Sequence, residues 1–340
     1  MSNEIDYKIY SLGDIKLQSG ITLRKAFLAY KTYGELNQEK DNVIIYPTWY
    51  SGQHYENEWL IGEGKALDPT KYFIIIPNML GNGLSSSPSN TAEPFRGARF
   101  PKITAYDNVL MQKQLIDFLG IQRVKLVTGW SMGANQAYHW GALFPEVVEN
   151  MLPFQGAAKC SPHNFVFLEG VKAALMADSD FKEGWYSDLL PHKGLRAFAR
   201  VYAGWGFSQS FYRKELFKEA MGYASLEDFL VGFWEGLFLK RDPNNLLSML
   251  WTWQHSDISR NEVFKGDFNL ALSKIKARTI IMPASTDLYF PSEDNRAEVL
   301  KMPNAELRVI ETDWGHFAGG PCLCQADFQF LDDALRELLD

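Results

Sequence analysis

Val124-Lys125-Leu126-Val127-Thr128-Gly129-Trp130-Ser131-Met132-Gly133-Ala134 is the stretch that decides the fold. The apolar, β-branched run at 124–128 reads as a buried strand, and 134–144 reads as a helix. Between them stands a serine with a glycine two positions to either side. Glycine has no Cβ to clash, so Gly129 and Gly133 let the backbone reverse sharply. Such a turn drives the serine oxygen out above the sheet edge. A serine hydroxyl is a weak nucleophile alone, so it needs a base, and the base needs an acid to orient it.

Candidates for both lie downstream. A strand at 279–283 runs into Ala284-Ser285-Thr286-Asp287, which puts Asp287 on a loop at the strand's C-terminal end. The run 307–310 reads as the following strand, and its loop carries Asp313-Trp314-Gly315-His316. Open α/β sheets keep their chemistry at the carboxyl ends of strands, and Ser, then Asp, then His is the chain order of α/β-hydrolases. The expected roles follow: Ser131 attacks an acyl carbonyl, His316 takes and returns the proton, and Asp287 holds the imidazole tautomer. Asp313 and Asp294 compete with Asp287, which its strand-end position favours. A turn aspartate bonding its own backbone is the structural alternative. Of the other histidines, His139 lies on the helix after Ser131, and His163, His192 and His255 precede the last strands. His54 comes before the serine altogether, so only His316 fits the order.

The 340 residues are too many for one simple core but suit an α/β domain with an insertion. Hydrophobic residues make up 46% and charged residues 22%, values that place the chain among globular proteins. A net charge of −7 and the lack of any basic tract speak against nucleic-acid or anionic-membrane partners. The polar, acidic N-terminus does not read as a signal peptide, and no apolar run reaches membrane-spanning length. Three cysteines cannot all pair internally, and Cys322 and Cys324 are too close to act as a staple. A reducing, cytoplasmic setting is expected. No metal-ligand cluster is visible; Cys-x-Cys without nearby histidines reads as packing.

Segments 7–17 and 21–33 suit an antiparallel hairpin at a sheet edge. Runs 43–46 and 72–76 resemble buried parallel strands, 106–119 a helix stopping at Gly120, and 147–154 the strand after the serine helix. Strands alternating with helices predict a mostly parallel central sheet flanked by helices. From 161 to 268 strand signals vanish, and helical stretches at 165–176, 194–205 and 226–239 take over. Alternation then returns, ending in a helix over 325–339. The expectation is an α/β core of 1–160 and 269–340 with a helical lid of 161–268 inserted between the sixth and seventh strands. That lid is rich in aromatics, among them Trp185, Trp205, Phe211, Trp234, Trp251 and Trp253. Most pack between helices, but the face over the active site would favour apolar substrate parts and exclude water.

Acyl chemistry puts negative charge on the carbonyl oxygen, and backbone N–H groups usually meet it. One donor should be Met132, next after the serine; the other should come from the loop after the third strand, Pro47 to Gly52, with Trp49 preferred and Thr48 second.

Gly62-Glu63-Gly64-Lys65-Ala66-Leu67-Asp68, Lys71-Tyr72-Phe73 and Asn78-Met79-Leu80-Gly81-Asn82-Gly83 form a first block of motifs. Phe100-Pro101-Lys102-Ile103-Thr104 with Asp107 forms a second. Together with the serine turn, Asp287-Leu288-Tyr289-Phe290-Pro291 and Gly315-His316, they make the chain resemble the homoserine transacetylase family of α/β-hydrolases over nearly its whole length. The resemblance implies an acyl-enzyme mechanism and a homodimer formed through the lid. It also implies a departure in substrate. Family members that accept homoserine follow the histidine with an aspartate for the amino group; here Phe317 stands there, and a phenyl edge cannot hold an ammonium, which would be costly to desolvate without a partner. Arg200 looks like the family arginine for the acceptor's carboxylate, although a structural ion pair inside the lid is the alternative. The tyrosine expected seven positions on is Phe207, and Trp130 replaces a glycine beside the nucleophile. Arg200, Phe207, Phe317 and Trp130 are therefore the expected substrate-side residues.

Two activities share this machinery. A serine esterase would pass the acyl group to water and cleave a small-acyl or apolar ester. An O-acyltransferase would pass it from acetyl-CoA to an alcohol other than homoserine, or to homoserine itself. Loss of the aspartate and the aromatic lid favours hydrolysis. A non-catalytic binding scaffold is the third possibility, since fold alone does not prove activity. No cofactor is expected, with acetyl-CoA a co-substrate only for a transferase; the partner is a small-molecule ester or acyl donor.

Overall fold

The computed structural model describes residues 6–186, 190–321 and 323–340. Eight strands form one sheet: β1 (Lys8–Lys16), β2 (Thr22–Tyr33), β3 (Val43–Ile45), β4 (Phe73–Pro77), β5 (Val124–Trp130), β6 (Val148–Phe154), β7 (Arg278–Ile281) and β8 (Ala305–Leu307). Their order is β1-β2-β4-β3-β5-β6-β7-β8. β1 and β2 pair antiparallel, and β2 runs antiparallel to β4; every other pairing is parallel. The edge hairpin and the parallel centre agree with the sequence pattern. β8 begins before the expected 307–310, because Ala305 already pairs with Thr279. The ladder nevertheless continues, with Arg308 N–H on Ile281 O at 2.9 Å and Ile310 N–H on Pro283 O at 2.8 Å.

β3 and β4 are apolar at every position, and β5 largely so, because both faces are covered. Alternate side chains serve the two sides: Ile44, Ile74 and Leu126 pack in one core, Val43, Ile45 and Ile75 in the other. The second core is closed by α1 (Ala105–Phe118) and α2 (Met132–Leu143). α1 starts on a capping box: Thr104 Oγ1 accepts Asp107 N–H at 3.1 Å, and Asp107 Oδ2 accepts Thr104 N–H at 2.9 Å.

Between β6 and β7 the described chain is helical. The helices are α3 (Pro162–Met176), α4 (His192–Gly206), α5 (Gln209–Arg213), α6 (Leu216–Glu219), α7 (Leu226–Phe229), α8 (Gly236–Phe238), α9 (Pro243–Gln254) and α10 (Phe268–Ser273). The helix expected over 226–239 runs on through α7 and α8, which a π-helical turn, Leu230–Glu235, joins without leaving helical backbone. These helices pack mainly on the first core, which α12 (Gln325–Leu339) also closes; α11 (Ser292–Val299) follows β7. Among the described residues no helix is long and apolar enough to cross a membrane.

Candidate active site

Ser131 sits between β5 and α2 with φ 57° and ψ −124°, a left-handed conformation that a residue with a Cβ adopts at a cost. Its neighbours hold it there: Ser131 N–H donates to Phe154 O at 3.1 Å, and Ser131 O accepts Ala134 N–H at 2.9 Å. The flanking glycines are sterically required. A Cβ on Gly129 would lie 2.3 Å from the Gly133 carbonyl carbon, and one on Gly133 would lie 2.7 Å from Pro47 O.

Asp287 hangs on the loop after β7. Its Oδ1 accepts the N–H groups of Tyr289 at 2.7 Å and Phe290 at 3.2 Å. Its Oδ2 lies 2.8 Å from His316 Nδ1. A carboxylate only accepts, so this contact puts the imidazole proton on Nδ1 and leaves the Nε2 lone pair free. The ring is clamped: Trp130 stacks on it at 5.2 Å, Tyr289 meets it edge-on at 4.7 Å, and Trp130 Nε1 donates to His316 O at 3.0 Å. All three side chains are buried. The rival Asp313 is held elsewhere, by Ser210 Oγ at 2.6 Å and Lys214 Nζ at 2.7 Å. The rival Asp294 lies in the first turn of α11, where burial raises its pKa. His139 is packed inside α2 with Nδ1 on Asn135 O at 2.8 Å.

Met132 opens α2, where first-turn N–H groups have no partner within the helix. Thr48, the second choice for the other donor, already gives its N–H to Pro77 O at 3.3 Å. Among the described residues no acceptor takes the N–H of Trp49.

Ser131 and His316 open onto one cavity of about 350 Å³, at the small end for ligand sites. Its core-side wall includes Trp49, Trp130 and Phe317; Tyr202, Phe233 and Trp234 close it from the helical segment. Glu56 brings the one carboxylate to the wall among the described residues, and Arg241 Nη2 meets its two oxygens at 2.5 and 2.7 Å.

Two expected substrate-side residues lie elsewhere. Arg200 does not line the cavity: its Nε donates to Glu235 Oε1 at 2.6 Å, and its two terminal nitrogens reach Glu227. With its fork occupied by two carboxylates, it forms the structural ion pair weighed as the alternative. Phe207 lies one layer back, fully buried and stacked at 4.4 Å on Phe317. Conversely, Tyr202, Phe233, Leu237 and Tyr289 line the cavity without having been singled out for it. Tyr289 carried a signal, two residues after Asp287 in a quoted motif; Phe233 and Leu237, four apart in an aromatic helical stretch, carried only a weak one. Of the lid aromatics named from the sequence, Trp234 reaches the wall, whereas Trp253 stacks on Phe290 behind it.

Cys160 and Cys324 are free thiols, and Cys322 lies outside the described residues. Among the described residues no group of three or more His, Cys, Asp or Glu side chains is placed to hold a metal.

Comparison with known proteins bears on this arrangement. Residues 42–319 match the family model described as the alpha/beta hydrolase fold. An ethyl acetate hydrolase of Pseudomonas veronii is 39% identical over 343 residues, covering 99% of this chain and 96% of that protein. A solved structure of an acetylester hydrolase from Corynebacterium glutamicum superposes with a TM-score of 0.94 at 40% identity, covering 98% of this chain and 95% of the other. A homoserine O-acetyltransferase of Chloroherpeton thalassium is 30% identical over 315 residues, covering 89% of this chain and 82% of its own length.

Proposed function

This chain belongs to the alpha/beta hydrolase fold family, and we propose that it is a serine-dependent esterase that cleaves small, uncharged carboxylic esters. One observation carries the reading: a single aromatic cavity receives both Ser131 and His316, with Asp287 2.8 Å behind the imidazole. In the proposed reaction Ser131 Oγ attacks the ester carbonyl as His316 Nε2 takes its proton, and Asp287 stabilises the imidazolium. Negative charge on the carbonyl oxygen is met by the N–H groups of Met132 and Trp49. His316 returns the proton to the leaving alcohol, and an acyl group remains on Ser131. Water, activated by His316, then releases the acid.

Hydrolysis is favoured over transfer to an amino-acid acceptor for two reasons. Phe317 offers an ammonium no carboxylate, and Arg200 already has two carboxylate partners. The Glu56–Arg241 pair neutralises the cavity's carboxylate, which suits a neutral ester. Residues 161–268 are proposed to act as a lid. They carry exposed apolar side chains such as Val166, Leu226 and Val231, which supports a homodimer formed through them. The chemistry draws only on side chains and backbone N–H groups, so no cofactor is called for. A cytoplasmic setting fits the two free thiols.

A fluorophosphonate probe is expected to label Ser131. Ser131→Ala should abolish labelling and lower kcat on p-nitrophenyl acetate by on the order of 10⁶-fold. Unlabelled but folded protein would return the scaffold reading. Acetyl-CoA consumption with homoserine or other alcohols that greatly exceeds hydrolysis would establish the transferase instead.

A further inference from the structure

We infer that Trp234, seated on Gly206 and pinned through Glu235, is the specificity-determining wall that confines the cavity to short esters; this rests on the ester-cleaving reading above. Trp234 lies in the π-helical turn Leu230–Glu235. In such a turn hydrogen bonds run to the fifth residue rather than the fourth, and it is wider than an α-helical one. Both Phe233 and the adjacent Trp234 line the cavity from it.

The indole fits because residue 206 has no side chain. An ideal Cβ on Gly206 would stand 2.3 Å from Cη2 and 2.7 Å from Cζ2 of Trp234, and 3.2 Å from Tyr289 Oη. The benzo edge therefore fills the space that any other residue at the end of α4 would take. Aromatic neighbours bound the indole on the other sides, with Phe207 at 5.7 Å and Phe317 at 5.8 Å, both edge-on.

The next residue fixes the turn. Glu235 is fully buried and accepts from Arg196 Nε and Arg200 Nε, each at 2.6 Å. Rolling the turn so that Trp234 swings away would strip a buried carboxylate of its partners, which is strongly unfavourable. The turn is thus held against swinging away from the cavity. Space freed behind it would be lined by Phe207 and Phe317, an apolar extension suited to an alkyl chain.

Substitutions in opposite directions test this. kcat/KM is measured for p-nitrophenyl acetate, butyrate, hexanoate and octanoate, and for ethyl, butyl and hexyl acetate. The second series shows which limb of the ester meets the wall. The unaltered enzyme should lose efficiency with length. Trp234→Ala should raise the hexanoate-to-acetate ratio, or the hexyl-to-ethyl ratio, by about tenfold or more, the worth of one or more accommodated methylenes. Trp234→Leu and Trp234→Phe retain apolar volume, stand in if the alanine variant does not fold, and should give graded gains. Gly206→Ala should push the indole inward and lower the butyrate-to-acetate ratio. Variants that take the fluorophosphonate label like the unaltered enzyme yet keep its length profile in both series would overturn the inference. An unaltered enzyme that neither labels nor cleaves any of these esters would instead overturn the ester-cleaving reading, and the inference with it.

Discussion

The two oxygens of Asp287 have different duties, and this separates orientation from charge at one residue. Oδ1 is tied to the N–H groups of Tyr289 and Phe290, which fix the carboxylate in place whatever the imidazole does. Oδ2 alone addresses His316. In Asp287→Asn the amide oxygen can keep the two backbone N–H groups, so the amide nitrogen faces Nδ1. A donor there favours the tautomer with its proton on Nε2, and that nitrogen can no longer take a proton from Ser131. The expected result is a fall in kcat on p-nitrophenyl acetate of about 10⁴-fold at neutral pH, the scale seen when a triad aspartate is made an amide, with an unchanged melting temperature. A loss of less than about tenfold would show that Asp287 is not the orienting acid. Phe317 shows the same economy of position. It helps form the cavity wall and stacks on Phe207. An aspartate there would be an unpaired charge among rings, since Arg200 is already engaged by Glu235 and Glu227.

The junction of β5 and α2 is the element on which the site turns, and its tolerances are backbone tolerances. A methyl group on Gly129 would meet the Gly133 carbonyl carbon at 2.3 Å, its oxygen at 2.4 Å and Ala134 N at 2.8 Å, none of which can swing aside as a side chain could. Overpacking usually costs about 1–3 kcal/mol, and a clash with three backbone atoms belongs at or above the upper end. Gly129→Ala should therefore unfold at clearly lower denaturant and lose ester cleavage; a variant with wild-type stability would mean the turn is looser than drawn. This junction was legible in the sequence because its signals are local: a β-branched run, two glycines around a serine, then a helical run. α12 was equally plain, and its bounds match the expected 325–339. The cavity's helical side was not legible. The π-helical turn has no distinctive composition, and which faces of α4 and α8 meet the cavity depends on contacts distant in sequence. Arg200 illustrates the limit. Its chain position matched a family contact, while the carboxylates that claim it lie 27 and 35 residues further on, on elements whose packing no local pattern discloses.

Across the whole molecule, the loops of the candidate site are anchored from beneath by buried polar groups that take no part in the proposed chemistry, and this gives folding a pH dependence of its own. Glu298 of α11 reaches across to the segment after β6: Ala158 N–H donates to Oε1 at 2.8 Å and Asn295 Nδ2 to Oε2 at 2.9 Å, while Asn295 Nδ2 also holds Gly156 O at 2.9 Å. A Cβ on Gly156 would come within 2.8 Å of Ser131 O, so this network backs the Ser131 turn directly. Complete burial pushes the Glu298 carboxyl up to about 7, with Tyr138, Asn295 and the Ala158 N–H opposing and Asp294 adding to the rise. The folded state thus favours the protonated acid. Its stabilising contribution is fully present below the unfolded value of about 4.3 and is lost as pH rises through about 7. His139 works in the opposite sense: burial lowers its pKa, so its contribution is present above about 6.5 and fades as pH falls. The difference between wild type and Glu298→Gln cancels the histidine and isolates the carboxyl. Denaturant titrations from pH 4 to 8 should show the wild type losing stability relative to the glutamine variant by roughly 3 kcal/mol, with most of the change between pH 5 and 7. A difference that stays flat across that range would mean that Glu298 is ionised in the fold at a normal pKa, and that the segment behind Ser131 is held by a charge rather than by a proton.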